Sequence, residues 1–174
     1  MALNKFNLKI KKKILPFKKT INVDADKSIS IRSFLISAIS QNLSVASNVL
    51  ESEDVMSTIN CLKKLGVKIK KIKPKKYLIF GNGLGSLFAK KNTFLNFGNS
   101  GTLARLLIGI LSTTPNIIVN LKGDHSLNKR DMTSLIKLMR RFGANFFPKK
   151  KNNLPLKLIS SNMPIGINYD AGVS

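Results

Sequence analysis

Asp54-Val55-Met56-Ser57-Thr58-Ile59-Asn60-Cys61-Leu62-Lys63-Lys64-Leu65-Gly66-Val67 comes back later in the chain as Asp131-Met132-Thr133-Ser134-Leu135-Ile136-Lys137-Leu138-Met139-Arg140-Arg141-Phe142-Gly143-Ala144. Asp, Ser, Ile, a basic pair and Gly hold the same places without a gap. Val55, Ile59, Leu62 and Leu65 recur at helical spacing in the first copy, as do Leu135, Leu138, Met139 and Phe142 in the second. The Ser52-Glu53-Asp54 start and the closing Gly66 bound one helix, and Asp131 and Gly143 bound the other. A stretch that repeats at this density marks a duplicated folding unit.

Upstream of each copy lies a second helix, introduced by a polar turn. Asp26-Lys27-Ser28-Ile29-Ser30-Ile31-Arg32 leads into Phe34, Leu35, Ala38 and Ile39, a helix running to about Gln41. Asn96-Phe97-Gly98-Asn99-Ser100-Gly101-Thr102 opens a helix with Leu103, Leu106, Leu107, Ile110 and Leu111 on one face. Lys27-Ser28 before Arg32 matches Asn99-Ser100 with Thr102 before Arg105. Strands are expected at Val45 to Leu50, Val67 to Ile72, Tyr77 to Phe80, Ile117 to Leu121, Phe146 and Phe147, and Leu156 to Ile159. Phe6 to Ile21 reads as one or two short strands or an extended arm. The unit is βαβαββ, giving an α/β fold of layers around a shared core. Two full copies, about 23–92 and 93–161, are followed by the opening of a third at 162–174. The period of about 75 residues exceeds that of solenoid repeats.

Both first helices begin among hydroxyls and cations. Backbone N–H groups there are unpaired and the helix dipole is positive, which is worth about 0.3–1 kcal/mol to a nearby anion. Lysine and arginine strengthen and orient such a contact. The duplicated arrangement therefore predicts two anion-binding helix starts at one end of the domain.

The 174 residues carry a net charge of +22 with 43% hydrophobic residues, so the chain has a core beneath a strongly basic surface. Almost all of the cations are lysines, in diffuse runs such as Lys11 to Lys13, Lys68 to Lys76 and Lys149 to Lys151. Arginine alone gives a planar fork for phosphate and carboxylate. The arginines are Arg32, Arg105, Arg130, Arg140 and Arg141, and the first three fall in polar loops or at helix starts. The lone Cys61 excludes a disulfide framework and reads as packing; His125 reads as a loop residue. No apolar run reaches a membrane span. Soluble, reducing, cytoplasmic surroundings follow, with no metal and no cofactor expected. A nucleic-acid module has the charge in its favour, but zinc-ligand spacing, aromatic-rich recognition strands and a helix-turn-helix are all missing.

Three stretches carry a resemblance. Asp26 to Arg32 resembles the Gly-Asp/Ser-Lys-Ser-x-Ser-x-Arg motif of the enolpyruvyl transferases. Asn99-Ser100-Gly101-Thr102-Leu103-Ala104-Arg105 resembles their Gly-Asn-Ser/Ala-Gly-Thr-x-x-Arg loop. Gly123-Asp124-His125-Ser126-Leu127-Asn128-Lys129-Arg130 resembles the Gly-Asp-x-Ser-Leu-x-x-Arg-Pro loop of the EPSP synthase branch, not of the sister branch acting on a UDP-amino sugar. Similarity runs from about residue 15 to the end. It implies the inverse α-β prism domain of that family, with residues 1–22 belonging to a second domain.

The resemblance also implies an activity: transfer of the enolpyruvyl group of phosphoenolpyruvate to the 5-hydroxyl of shikimate 3-phosphate, releasing phosphate. It places Lys27 between the substrates as the catalytic residue. Asn99, Gly101 and Arg130, with Lys27, would face phosphoenolpyruvate. Ser28, Arg32, Thr102 and Ser174, with Lys27, would hold shikimate 3-phosphate. Arg105 is expected to be mainly structural. General acid and base groups belong, in the family, to the second domain. The chain is thus expected to be an N-terminal fragment inactive alone, from a protein that is monomeric at full length. A non-catalytic paralogue is a further alternative. Three departures stand out: Ala25 replaces Gly, Ile31 replaces a polar residue beside the site, and Asp131 replaces Pro after Arg130. Ile31 and Asp131 are expected to weaken anion binding.

Overall fold

A computed structural model describes residues 23–170 without a break, together with 9, 11, 13, 16, 18, 20, 21 and 172. Its elements are α1 (Lys27–Ile39), β1 (Gln41–Ser47), α2 (Glu53–Lys64), β2 (Lys68–Lys73), β3 (Lys76–Asn82), β4 (Thr93–Asn96), α3 (Gly101–Ser112), β5 (Ile118–Lys122), a 3-10 turn (Leu127–Lys129), α4 (Thr133–Arg141), β6 (Asn145–Pro148) and β7 (Leu156–Ile159).

The duplication is visible in the sheets. One has the order β1-β3-β2, all antiparallel. The other has β5-β7-β6 in the same antiparallel arrangement, with β4 added beside β5 as a parallel neighbour. β4, α3 and β5 form a βαβ crossover, because parallel strands need a long connection. The corresponding leading strand of the first unit would fall at residues mostly outside the described ones. So does most of the expected arm at Phe6 to Ile21. Of the expected third unit, residues 162–170 carry neither helix nor strand, and Ser174 lies outside the described residues.

Each sheet buries one face against helices and leaves the other to solvent. On β3 the buried positions are Tyr77 and Ile79, on β5 Val119 and Leu121, and on β7 Leu156 and Leu158. α1 packs on β1 and β3 and against α2, while α3 touches both α1 and α4. Phe34 of α1 meets Tyr77 edge to face, with ring centroids 5.3 Å apart. One continuous apolar cluster runs through both units. A polar bond ties the units as well: Lys64 Nζ donates to the Phe94 carbonyl at 2.9 Å.

The clearest differences from the sequence expectation are the end of β1, at Ser47 and not Leu50, and two element starts. β1 begins at Gln41, not Val45, because α1 stops at Ile39 and Ser40 caps it by donating its N–H to the Ile36 carbonyl. Asn42, at positive φ, already pairs with Gly81. The helix expected from Asp131 starts at Thr133. Asp131 stays outside it and accepts hydrogen bonds from the Thr133 N–H and Oγ1–H. Gly66 and Gly143 do end their helices, at φ +87° and +93°, the left-handed conformation in which glycine meets no Cβ penalty.

Candidate anion-binding site

The first turns of α1 and α3 border one cleft of about 420 Å³. Lys27, Arg105 and Arg130 supply its cations, Glu53 and Asp54 its acids, and Asn99, Gly101 and Thr102 the remainder of its wall. Volume does not single it out, since a hollow of about 540 Å³ lies beside His125, Lys129 and Lys149 to Lys151. The starts of α1 and α3, with that of α2 beside them, and three cations meeting in one place do.

Each component is held by local chemistry. Asp26 caps α1, its Oδ1 accepting from the Ile29 N–H at 2.6 Å, so Lys27 becomes the first helical residue. Ser100 caps α3 in the same way, accepting from the Leu103 N–H at 3.3 Å. Arg130 arrives from the loop after β5. There the Asp124 Oδ1 accepts from the Leu127 N–H at 2.7 Å, and the 3-10 turn Leu127–Lys129 aims the chain back at α3. The Asp124 N–H donates to the Gly98 carbonyl at 2.8 Å and pins the two loops together. Arg130 Nη2 then donates to Asn99 Oδ1 at 2.9 Å. A Cβ at Gly101 would lie 2.8 Å from Arg130 Nη1. The guanidinium thus crosses the start of α3 in space that only glycine leaves open.

Of the residues singled out in the sequence, Lys27, Asn99, Gly101, Thr102 and Arg130 share this cleft. Ser28 and Arg32 do not line it. They lie on α1 at i, i+4 spacing, beside but outside the wall that Lys27 forms. Arg105, expected to be structural, is an exposed cation of the cleft. It follows Gly101 by one helical turn, and that spacing was the available signal. In the sequence Asp54 presents itself only as part of a helix start. Its Oδ2 lies 2.9 Å from Lys27 Nζ, with side-chain exposures of 18% for the acid and 49% for the lysine.

The two departures expected to weaken anion binding lie differently against the cleft. Ile31 is 0% exposed and packs in the core, so it takes nothing from the cleft. The Asp131 carboxyl is held below its usual range chiefly by the hydrogen bond from the Thr133 hydroxyl, then by the Thr133 N–H. Its hydrogen bonds go to α4, while Arg130 bonds Asn99. The Arg105 cation of the cleft adds a smaller lowering, so the Asp131 charge is still felt there. Cys61 is 1% exposed, donates to the Asn96 carbonyl at 3.4 Å, and is pushed up to about 12 by burial, so it is an inert packing thiol. His125 lies in the exposed loop by the other hollow. Among the described residues no acid, histidine and cysteine cluster could hold a metal, and no helix is long and apolar enough to cross a membrane.

The pattern of the EPSP synthase (3-phosphoshikimate 1-carboxyvinyltransferase) family matches residues 11–174. The 3-phosphoshikimate 1-carboxyvinyltransferase of Syntrophomonas wolfei is 37% identical over 166 residues, 95% of this chain and 38% of its own length. That of Desulforamulus reducens is 40% identical over 144 residues, 81% of this chain and 33% of its own. The solved EPSP synthase of Acinetobacter baumannii superposes with a TM-score of 0.81 at 34% identity, over 88% of this chain and 34% of that one. The chain spans about a third of the length of these relatives. Matched along nearly all of its length in sequence and in fold, the chain belongs to the EPSP synthase family.

Proposed function

We propose that this chain supplies one wall of an active site that transfers the enolpyruvyl group of phosphoenolpyruvate to the 5-hydroxyl of shikimate 3-phosphate. The observation that carries the reading is the Arg130 guanidinium laid across Gly101 and bonded to Asn99, facing Lys27 over a cleft at two helix starts. Phosphoenolpyruvate is small and carries both a phosphate and a carboxylate, and forked cations with unpaired backbone N–H groups suit such a ligand. Arg130, Asn99 and Gly101 hold it. Lys27 stands between the two substrates. Thr102, Ser28, Arg32 and Ser174 serve shikimate 3-phosphate, Ser28 and Arg32 from outside the cleft wall.

The chain binds and orients in this reading. Addition and elimination at an enol ether need groups that give and take protons. Asp54 is engaged with Lys27 and Asp131 with Thr133, while Glu53 is exposed at the start of α2 with no side chain orienting it among the described residues. We therefore assign turnover to the protein at its relatives' length, as a monomer in the cytoplasm, and binding to this chain.

Titration of the chain with phosphoenolpyruvate, followed at the Gly101 and Thr102 amides, tests the reading. Saturable shifts are expected, and Arg130→Ala should weaken binding at least about tenfold by removing a charge-assisted fork. Unchanged affinity in that variant removes Arg130 from the site. Authentic product from the chain alone would overturn the division of labour.

A further inference from the structure

Two acids in the wall of an anion cleft need a reason, because each repels the ligand that the cations attract. Glu53 is exposed at the first turn of α2. Asp54 is mostly covered and lies 2.9 Å from Lys27 Nζ. The start of α2 favours its negative charge, and the helix fixes its backbone. Lys27, by contrast, ends a side chain with four rotatable bonds and is half exposed. An ammonium on such a stem holds no single position unless something anchors it.

We propose that Asp54 is a positioning residue: it anchors the Lys27 ammonium against the cleft wall, so that the cation meets an arriving phosphate or carboxylate already placed. An ammonium has three donors. One directed at Asp54 leaves two for the ligand, so anchor and ligand need not compete. The second unit needs no such anchor. Gly101 stands where the first has Lys27, each the first residue of its helix, and Arg130 fills the vacated space under the hold of Asn99. Two of the three cations of the cleft are therefore each fixed by a neighbouring side chain from another loop or helix.

The proposal rests on the reading of Lys27 as a ligand cation, and its test separates the two. Lysine side-chain relaxation in the intact chain, read at Cε, reports anchoring without any ligand. Asp54→Asn should lower the order of Lys27 alone among the lysines, and Asp54→Glu should restore part of it. Inorganic phosphate is then titrated against the Gly101 and Thr102 amides. Asp54→Asn should weaken binding about tenfold, the loss of one charge-assisted contact's worth of placement. In a Lys27→Ala background the same change should do nothing further, whereas a merely structural role predicts equal losses in both backgrounds. Unchanged Lys27 order in Asp54→Asn, or tighter phosphate binding by it, overturns the proposal. If Lys27 loses order as expected but Lys27→Ala binds phosphate as well as the parent chain, the ligand reading of Lys27 fails while the anchoring stands.

Discussion

Gly101 begins α3 without a side chain, and the Arg130 guanidinium lies where one would be. Its φ is not in the left-handed region, so alanine fits the backbone and gains helix propensity of up to about 1 kcal/mol. The added methyl meets Arg130 Nη1 and must displace the fork from Asn99. Gly101→Ala should therefore hold or raise the melting temperature while weakening phosphoenolpyruvate binding. A melt and a titration on the same sample check both directions. Arg130 and Gly101 are legible in the sequence because both sit in stretches that resemble the enolpyruvyl transferase motifs. Asp54 is not, because an acid two residues after a serine already has a sufficient explanation as a helix start. Pairing with Lys27 is a tertiary event, across α1 and α2, and nothing local encodes it.

At the scale of elements, Glu51 joins three of them. It precedes α2 and accepts from the Tyr77 hydroxyl on β3 at 2.7 Å, from Lys71 Nζ on β2 at 2.9 Å, and from the Lys75 N–H in the turn between them at 3.1 Å. The Lys71 contact first, then that of Tyr77, lowers the Glu51 carboxyl from 4.5 to about 2. Folding gains from the ionised form at every pH above about 4.5, and the gain drains away as pH falls toward 2. Tyr77 shows the reverse: burial, then Glu51, raises it from 10 to about 12. Its stabilising contribution is complete below pH 10 and disappears as pH climbs through 12. Glu51→Gln should flatten the acid limb of a stability–pH curve and soften the alkaline one. Denaturant melts between pH 2 and 5 and above pH 10 check this. Glu51 could not be chosen from sequence as the residue joining these elements. The helices could be, since their apolar stripes and glycine stops are local. Where β1 starts was not local: Asn42 turns into the sheet through its pairing with Gly81.

For the whole molecule, the question is whether a charge of +22 decides what it binds. The charge is spread widely. β2 alone carries Lys68, Lys70, Lys71 and Lys73, and only Lys71 among them has an acidic partner within the described residues. Such a surface attracts any polyanion by releasing its counterions, so duplex DNA should bind with an affinity that falls linearly on logarithmic axes as salt rises. That attraction has no geometry and should be the same for unrelated sequences. Binding in the cleft has a geometry, set by Lys27, Arg105 and Arg130 around the start of α3. The two are therefore separable by mutation. Lys27→Ala and Arg130→Ala each remove one cation of 30, and should leave DNA affinity within about twofold at fixed salt while reducing phosphoenolpyruvate binding at least about tenfold. Charge reversal along β2, with Lys68 and Lys70 changed to Glu, should do the opposite. If the cleft variants lost DNA and phosphoenolpyruvate together, the cleft would be one more patch of a basic surface, and the enzymatic reading would lose its physical ground.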